Sequence, residues 1–261
     1  MAAFDTIIFE KKDKIAYVTL NRPQALNAYN TRMRDELYQT LGAIKDDDEI
    51  QVVIFKGAGD KAFCAGADIT EFLSAPSATI ARQVRFERDV WGLFLSIPQP
   101  LIAAIHGFCL GSGIEIALCC DIRICSEDAR FGLPEVGLGI IPAAGGTQTL
   151  PRTIGRGKAL EMLLSGNIME AQEAYRIGLV NRVVPWNELM PAAEQLALKI
   201  TGQAPLAVRA AKNAINRGLD MTLEQGLALE RELALPLMTS QDTREGLKAF
   251  REGRTPKFEG R

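Results

Sequence analysis

The chain has one histidine, two tryptophans and four tyrosines among 261 residues, and its five cysteines form no C-x-x-C pair. With His106 the only imidazole and the thiols scattered, the residue supply argues against a metal centre, and none is expected. Cys64, Cys109, Cys119, Cys120 and Cys125 lie among apolar or small neighbours and read as reduced core thiols of a cytosolic protein. Long apolar runs are missing too. No stretch reaches the roughly 20 residues that cross a bilayer, and "MAAFDTIIFEKKDKIAYVTLNRP" opens on strand-like alternation instead of a signal peptide. A cytoplasmic location without a membrane partner is therefore expected. Nor is there an excess of one charge: 30 Lys and Arg against 32 Asp and Glu leave a net charge of -2, no field for nucleic acid. An anionic ligand must meet a local basic patch. Neither G-x-G-x-x-G nor a Walker motif occurs, and the turns Gly57-Ala58-Gly59 and "GRGKAL" are glycine punctuation only.

What remains is an ordinary globular composition, 47% hydrophobic and 24% charged. A chain of this length buries a large core without disulfide or metal staples. "TIIFEKK" and "KIAYVTLNRP" predict a hairpin closed by Pro23, and "NTRMRDELYQTLGAIKDDD" a helix capped by Asn30 or Thr31. "IQVVIFKGAG" reads as a buried strand. Residues 70 to 97 read as mostly helical, with Val84, Trp91, Phe94 and Leu95 on apolar positions. "PLIAAIHGFCL" reads as one further buried strand, "SGIEIALCCD" as its following helix, and "IRICSEDARFGLPEVG" as a return to strand and turn. The order strand, strand, helix argues an α/β core. Helical periodicity runs from 187 to 252, broken at Gly202, Pro205, Gly218 and Pro236, so a core over 1–200 and a helical region over 201–261 are expected.

Three stretches could carry chemistry. In "KAFCAGADI", Gly66 lets the backbone turn so that the amides of Ala67 and Asp68 face a ligand, although a tight turn alone explains the glycine. In "LGSGIEIALCCD", Gly111 and Gly113 permit close backbone approach and the helix start presents free N–H groups. Glu115 sits in its first turn, where the helix dipole favours an anion, but among apolar neighbours. In "FGLPEVGLGIIPAAGGTQTLPR", Glu135 is a second glutamate in poor solvent, able to cap a helix, pair with an arginine, or share acid–base work with Glu115. His106 reads as a satisfied structural histidine, and Asp121 as a partner for local backbone or an arginine.

Together these stretches resemble the enoyl-CoA hydratase (crotonase) family. "LNRPQALNAYN", "FCAGADI", the run "AIHGFCLGSGIEIALCCDIRICSEDARFGLPEVGLGIIPAAGGTQTLPRTIG", "LSGNIMEAQEAYRIGLVNRVVP" and "GLKAFREGRTPKF" carry the likeness over nearly the whole chain. The resemblance implies an α/β fold, a spiral of strand–strand–helix units with a C-terminal helical trimerisation region, and homotrimers that pair as hexamers. It also implies an acyl-CoA thioester substrate whose carbonyl oxygen is held in an oxyanion hole by the backbone N–H groups of Ala67 and Ser112. Contacts to CoA fall on Ala67, Asp68, Ile69, Thr70, Gly111 and Phe250, with no cofactor beyond the coenzyme A of the substrate. Family hydratases carry glutamates at the positions of Glu115 and Glu135. The implied reaction is syn hydration of a trans-2-enoyl-CoA, with Glu115 activating water and Glu135 protonating C2.

The sequence departs from the family pattern at Ser112, where glycine is frequent, at Leu133 and Ala143, and at Gly253, which replaces a CoA-contacting lysine. Arg251, Arg254 or Lys257 could meet phosphate instead. The acyl cleft is expected to draw on residues 70 to 97, with Phe72, Trp91 and Phe94 as candidates. Rival readings are an enoyl-CoA isomerase, a hydratase of cyclic or dienoyl acids, and an acyl-CoA-binding protein without catalysis.

Overall fold

The two N-terminal β-rich runs form the expected hairpin in the computed structural model, which describes residues 4–72 and 88–261. Strands β1 (Ile7–Lys12) and β2 (Ile15–Leu20) pair antiparallel. They are followed by α1 (Thr31–Asp46), β3 (Val52–Gly57), β4 (Ala62–Cys64), α2 (Ile69–Phe72), α3 (Val90–Ser96), β5 (Leu101–Ile105), β6 (Phe108–Leu110) and α4 (Ser112–Cys119). Next come β7 (Ile122–Ser126), β8 (Arg130–Gly132), α5 (Gly146–Ile154), α6 (Arg156–Ser165), β9 (Met169–Glu170), α7 (Ala171–Arg176) and β10 (Arg182–Val184). Helices α8 (Leu189–Thr201), α9 (Pro205–Gly218), α10 (Leu223–Met238) and α11 (Gln241–Glu252) close the chain.

Two sheets result, in the orders β1-β2-β3-β5-β7-β10 and β4-β6-β8-β9. Each turn of chain lays one strand in the first sheet, the next in the second, and then adds a helix: β3 and β4, then β5, β6 and α4, then β7, β8 and α5. This is the spiral of strand–strand–helix units that the family resemblance implied. Strands β2, β3, β5, β7 and β10 run parallel, and β2 and β5 are buried along their whole length, as a parallel sheet covered on both faces requires. Alternate residues divide the work. Ala16, Val18, Val53 and Phe55 face a core shared with α1, α3 and α4, while Ile15, Tyr17, Val52 and Ile54 face Leu189, Ala193 and Ala197 of α8.

Three local readings need correction. "PLIAAIHGFCL" is two strands in different sheets, β5 and β6, because the chain corners at Gly107 with φ +52, where a Cβ would lie 2.0 Å from the Lys61 carbonyl oxygen. Pro236 does not interrupt α10; it lies inside the helix near its C-terminal end. Asp121 accepts from the Leu101 amide and pairs with Lys212 at 2.7 Å, a lysine and not an arginine. Of residues 70 to 97, α2 and α3 are helical as expected, while Val84 lies outside the described residues. Asn30, not Thr31, caps α1, its side chain accepting from Met33 N–H.

Candidate active site

The loop after β4 is fastened to residues 26–29 by three backbone bonds. Ala65 N–H donates to Leu26 O at 3.0 Å, Tyr29 N–H to Gly66 O at 2.8 Å, and Asp68 N–H to Tyr29 O at 2.8 Å. Asn27, fully buried with φ +55, secures the other side: its Nδ2 donates to the carbonyls of Ala58 and Ala62, and its Oδ1 accepts from Arg22 N–H. The Asp68 amide is therefore spent on Tyr29 and does not face a ligand, contrary to the sequence expectation. Among the described residues the Ala67 amide donates to no protein acceptor. Asp68 turns its carboxylate to Arg22 and to Thr70, and Ile69 is largely exposed.

Gly111 brings the second loop against the first. Its φ of +50 belongs to glycine, and a Cβ there would lie 3.3 Å from Gly66 Cα and 2.9 Å from Glu135 Oε1. Backbone contact of this kind sets Ala67 and Ser112 along one cleft. Ser112 begins α4, so its amide has no intrahelical acceptor. Its side chain is buried, on a helix whose every residue is buried.

Glu115 and Glu135 line the same cleft as Ala67, Gly111 and Ser112. Glu115 is 2% exposed, and its Oε1 accepts from Ala144 N–H at 2.8 Å and Gly146 N–H at 3.0 Å. Those amides stand at the start of α5, whose dipole adds to the attraction. Charge buried in this way is held by backbone donors. Glu135 lies half-buried in a 3-10 turn, Pro134–Leu138, opened by Pro134. Leu133 is fully buried beneath it, whereas Ala143 is exposed at the cleft. Leu138, Ile140 and Ile141 add an exposed aliphatic rim.

Other expected site residues fall elsewhere. Phe250, 87% exposed on α11, does not line this cleft within one chain. Arg254 is engaged by Glu245 and Glu252, which leaves it less able to meet a phosphate. Phe94 is a core residue, packed 5.2 Å from the Phe55 ring, and half-buried Trp91 rests on Tyr29 at 5.6 Å. The Phe72 side chain lies outside the described residues. His106 stacks on Trp186 and burial lowers its pKa, but its buried Nε2 has no hydrogen-bond partner among the described residues, so it is not the satisfied histidine expected. All five thiols are buried, and burial pushes Cys64 up to about 11 and Cys119 and Cys125 to about 12, so they are poor nucleophiles. Among the described residues no cluster of three metal-ligating side chains forms.

One supporting residue escaped the sequence reading. Arg123, buried on β7, donates from Nη1 to Cys120 O at 2.6 Å and from Nε to Leu179 O at 2.6 Å, closing the C-terminal end of α4. Its signal was the charge inside "IRIC", a strand that is otherwise apolar.

Residues 10–261 match the profile of a family described as Enoyl-CoA hydratase/isomerase. The chain is 42% identical to the crotonyl-CoA hydratase of Syntrophomonas wolfei over 257 residues, 98% of each chain. It is 44% identical to the short-chain-enoyl-CoA hydratase of Clostridium acetobutylicum over 256 residues, covering 98% of this chain and 97% of that one. The crystal structure of the enoyl-CoA hydratase from Bacillus anthracis superposes with a TM-score of 0.95 at 41% identity, over 98% of this chain and all of that one.

Proposed function

This chain belongs to the enoyl-CoA hydratase/isomerase family, and from that premise we propose that it adds water syn across the C2=C3 bond of a trans-2-enoyl-CoA, giving the 3-hydroxyacyl-CoA. The observation that carries this reading is the convergence on one cleft of two glutamates and two backbone amides that donate to no acceptor among the described residues. The thioester carbonyl oxygen accepts from Ala67 and Ser112 N–H, and the same donors hold the enolate oxygen that develops as water adds. Each such donor is worth about 3 to 4 kcal/mol of barrier. A backbone amide survives the serine at 112, so the hole is complete. Glu115, fixed at Oε1, orients a water and takes its proton as oxygen bonds to C3. Glu135, across the cleft beside Gly111, delivers a proton to C2. Water contributes the OH at C3, and the hydrogen given to C2 is made good when Glu115 releases its proton to solvent and Glu135 regains one, so the cycle closes on water alone and coenzyme A serves only as the handle of the substrate.

A short, unbranched acyl group fits the names of the hydratase relatives and the aliphatic rim of Leu138, Ile140 and Ile141. The exposed apolar face of the C-terminal helices, Phe250 among its residues, supports a homotrimer or a dimer of trimers. Among the described residues no helix is long and apolar enough to cross a membrane, and a cytoplasmic site of action accompanies this reading. Purified protein mixed with crotonyl-CoA tests the assignment: the ultraviolet absorbance of the conjugated thioester falls as 3-hydroxybutyryl-CoA appears. Absorbance that stays constant with crotonyl-CoA and with longer 2-enoyl-CoAs overturns it.

A further inference from the structure

The Ala67 amide belongs to the peptide between Gly66 and Ala67, and in a trans peptide the C=O and N–H point in opposite directions. Tyr29 N–H holds the Gly66 carbonyl at 2.8 Å, so the Ala67 N–H is aimed away from residues 26–29, towards the cleft. Its aim is thus only as good as the register between Tyr29 and Ala67. One guanidinium brackets that register. Arg22 Nη1 donates to Ala28 O at 2.6 Å, immediately before Tyr29, and Nη2 donates to Asp68 Oδ2 at 2.9 Å, immediately after Ala67. Asp68 Oδ1 is in turn steadied by Thr70, whose Oγ1 donates at 2.6 Å. The Arg22 and Asp68 side chains are 17% and 14% exposed, so the pair is only weakly screened by solvent. A planar fork spanning a carbonyl and a carboxylate is a geometry that lysine cannot copy.

We infer that the Arg22–Asp68 ion pair is a positioning device for catalysis, holding the Ala67 N–H on the thioester oxygen without touching the substrate. The inference rests on the proposed oxyanion hole and adds to it the pair that sets one donor's direction. Displacement of a donor by about 1 Å is enough to cost on the order of 100-fold in rate.

The test uses the full-length protein, crotonyl-CoA turnover, and the absorption band of bound p-aminocinnamoyl-CoA, which moves to longer wavelength when its carbonyl is polarised. Arg22→Met is expected to lower kcat about 100-fold, keep KM within about threefold, and lose most of the red shift. Asp68→Asn, which keeps an oxygen for Thr70, is expected to move both readouts in the same direction by less, and Arg22→Lys to recover part of the loss. Should Arg22→Met not fold, the two milder variants decide by the same readouts. A fall in melting temperature with kcat and red shift unchanged makes the pair merely structural and overturns the inference. So does a fall in kcat with the red shift intact. Absence of any red shift in the parent protein is a separate result: it removes the oxyanion hole itself.

Discussion

At Glu115 the cost of taking a carboxylate out of water, several kcal/mol, is offset at one oxygen by the amides of Ala144 and Gly146. The glutamate was visible in the sequence as a charge within an apolar helix. Its holders were not, since they lie 29 and 31 residues further on and contribute only main chain, which leaves no side-chain signature. Two expectations follow at this scale. Glu115→Gln and Glu135→Gln keep the shape of the cleft but remove the group that exchanges a proton, so each is expected to lower kcat by about 100-fold or more with CoA affinity little changed. Stopped-flow turnover and calorimetry with CoA separate the two quantities, and a near-normal rate in either variant removes that residue from the mechanism. Gly146→Ala is the second. A Cβ there meets Glu115 Oε1 at 3.1 Å and Pro142 Cβ at 2.8 Å, so the amide cradle must shift. Its kcat is expected to fall while melting temperature changes little; an unchanged kcat means that the cradle does not set the working position of Glu115.

Elements were legible where a repeat or a cap marks them. The β1–β2 hairpin, the Asn30 cap and the α4 start after Gly111 all appear as read, because alternation, an Asx side chain and a glycine each act within a few residues. The corner between β5 and β6 was not legible: the apolar run is continuous, and what breaks it is the nearby Lys61 carbonyl, supplied by a distant segment. Asp68 was misread for a related reason, since its amide is claimed by Tyr29 from another turn of the spiral. The helix that carries Glu115 is fixed at its far end by Arg123, a buried cation at a helix C-terminus, where the dipole favours it. Arg123→Met leaves the Cys120 and Leu179 carbonyls without that donor and is expected to cost about 3 kcal/mol, read as a lower denaturant midpoint with unchanged slope. Retention of the parent midpoint refutes the cap.

At the scale of the whole molecule, an α/β core could be expected from the strand–strand–helix order and the spiral from the family resemblance, but the division into two sheets, their strand order and the faces that meet solvent could not. The C-terminal helices show why. Their periodicity is helical throughout, yet Leu219 and Leu223 are each 80% exposed and Phe250 is 87% exposed, so hydrophobic positions that a sequence reading places inside lie on the surface of one chain. The N-terminal end is secured differently. Glu36, buried on α1, accepts from Asp5 N–H, from Thr6 N–H and Oγ1, and from Arg32. Burial alone raises its pKa, but these donors outweigh it and hold the carboxyl at about 2 instead of 4.5. The folded state thus binds this proton more weakly than the unfolded chain. The resulting stability is complete above about pH 4.5 and is lost as pH falls towards about 2. Glu36→Gln is expected to flatten that part of the stability profile, measured by denaturant titration across the window; a slope identical to the parent's assigns the acid sensitivity to other groups.

Exposed leucines at 219 and 223 flank the turn between α9 and α10, and Met238 at the end of α10 is 70% exposed. Apolar surface costs about 25 cal/mol per Å² while it remains in water, and a monomer seldom leaves so much of it uncovered. A homotrimer closes such a face by rotation, one patch of each copy meeting a different patch of the next until the ring is complete. Light scattering is therefore expected to give a mass three or six times that of the 28.5 kDa chain. Leu219→Asp combined with Leu223→Asp places two carboxylates in the covered surface, where desolvation is costly, and is expected to shift the mass towards a single chain at micromolar concentration. A parent mass of one chain rejects the homotrimer outright. A trimer that survives the double substitution moves the interface off this turn, leaving Met238 and Phe250 on α10 and α11 as the part of the face to be tested next.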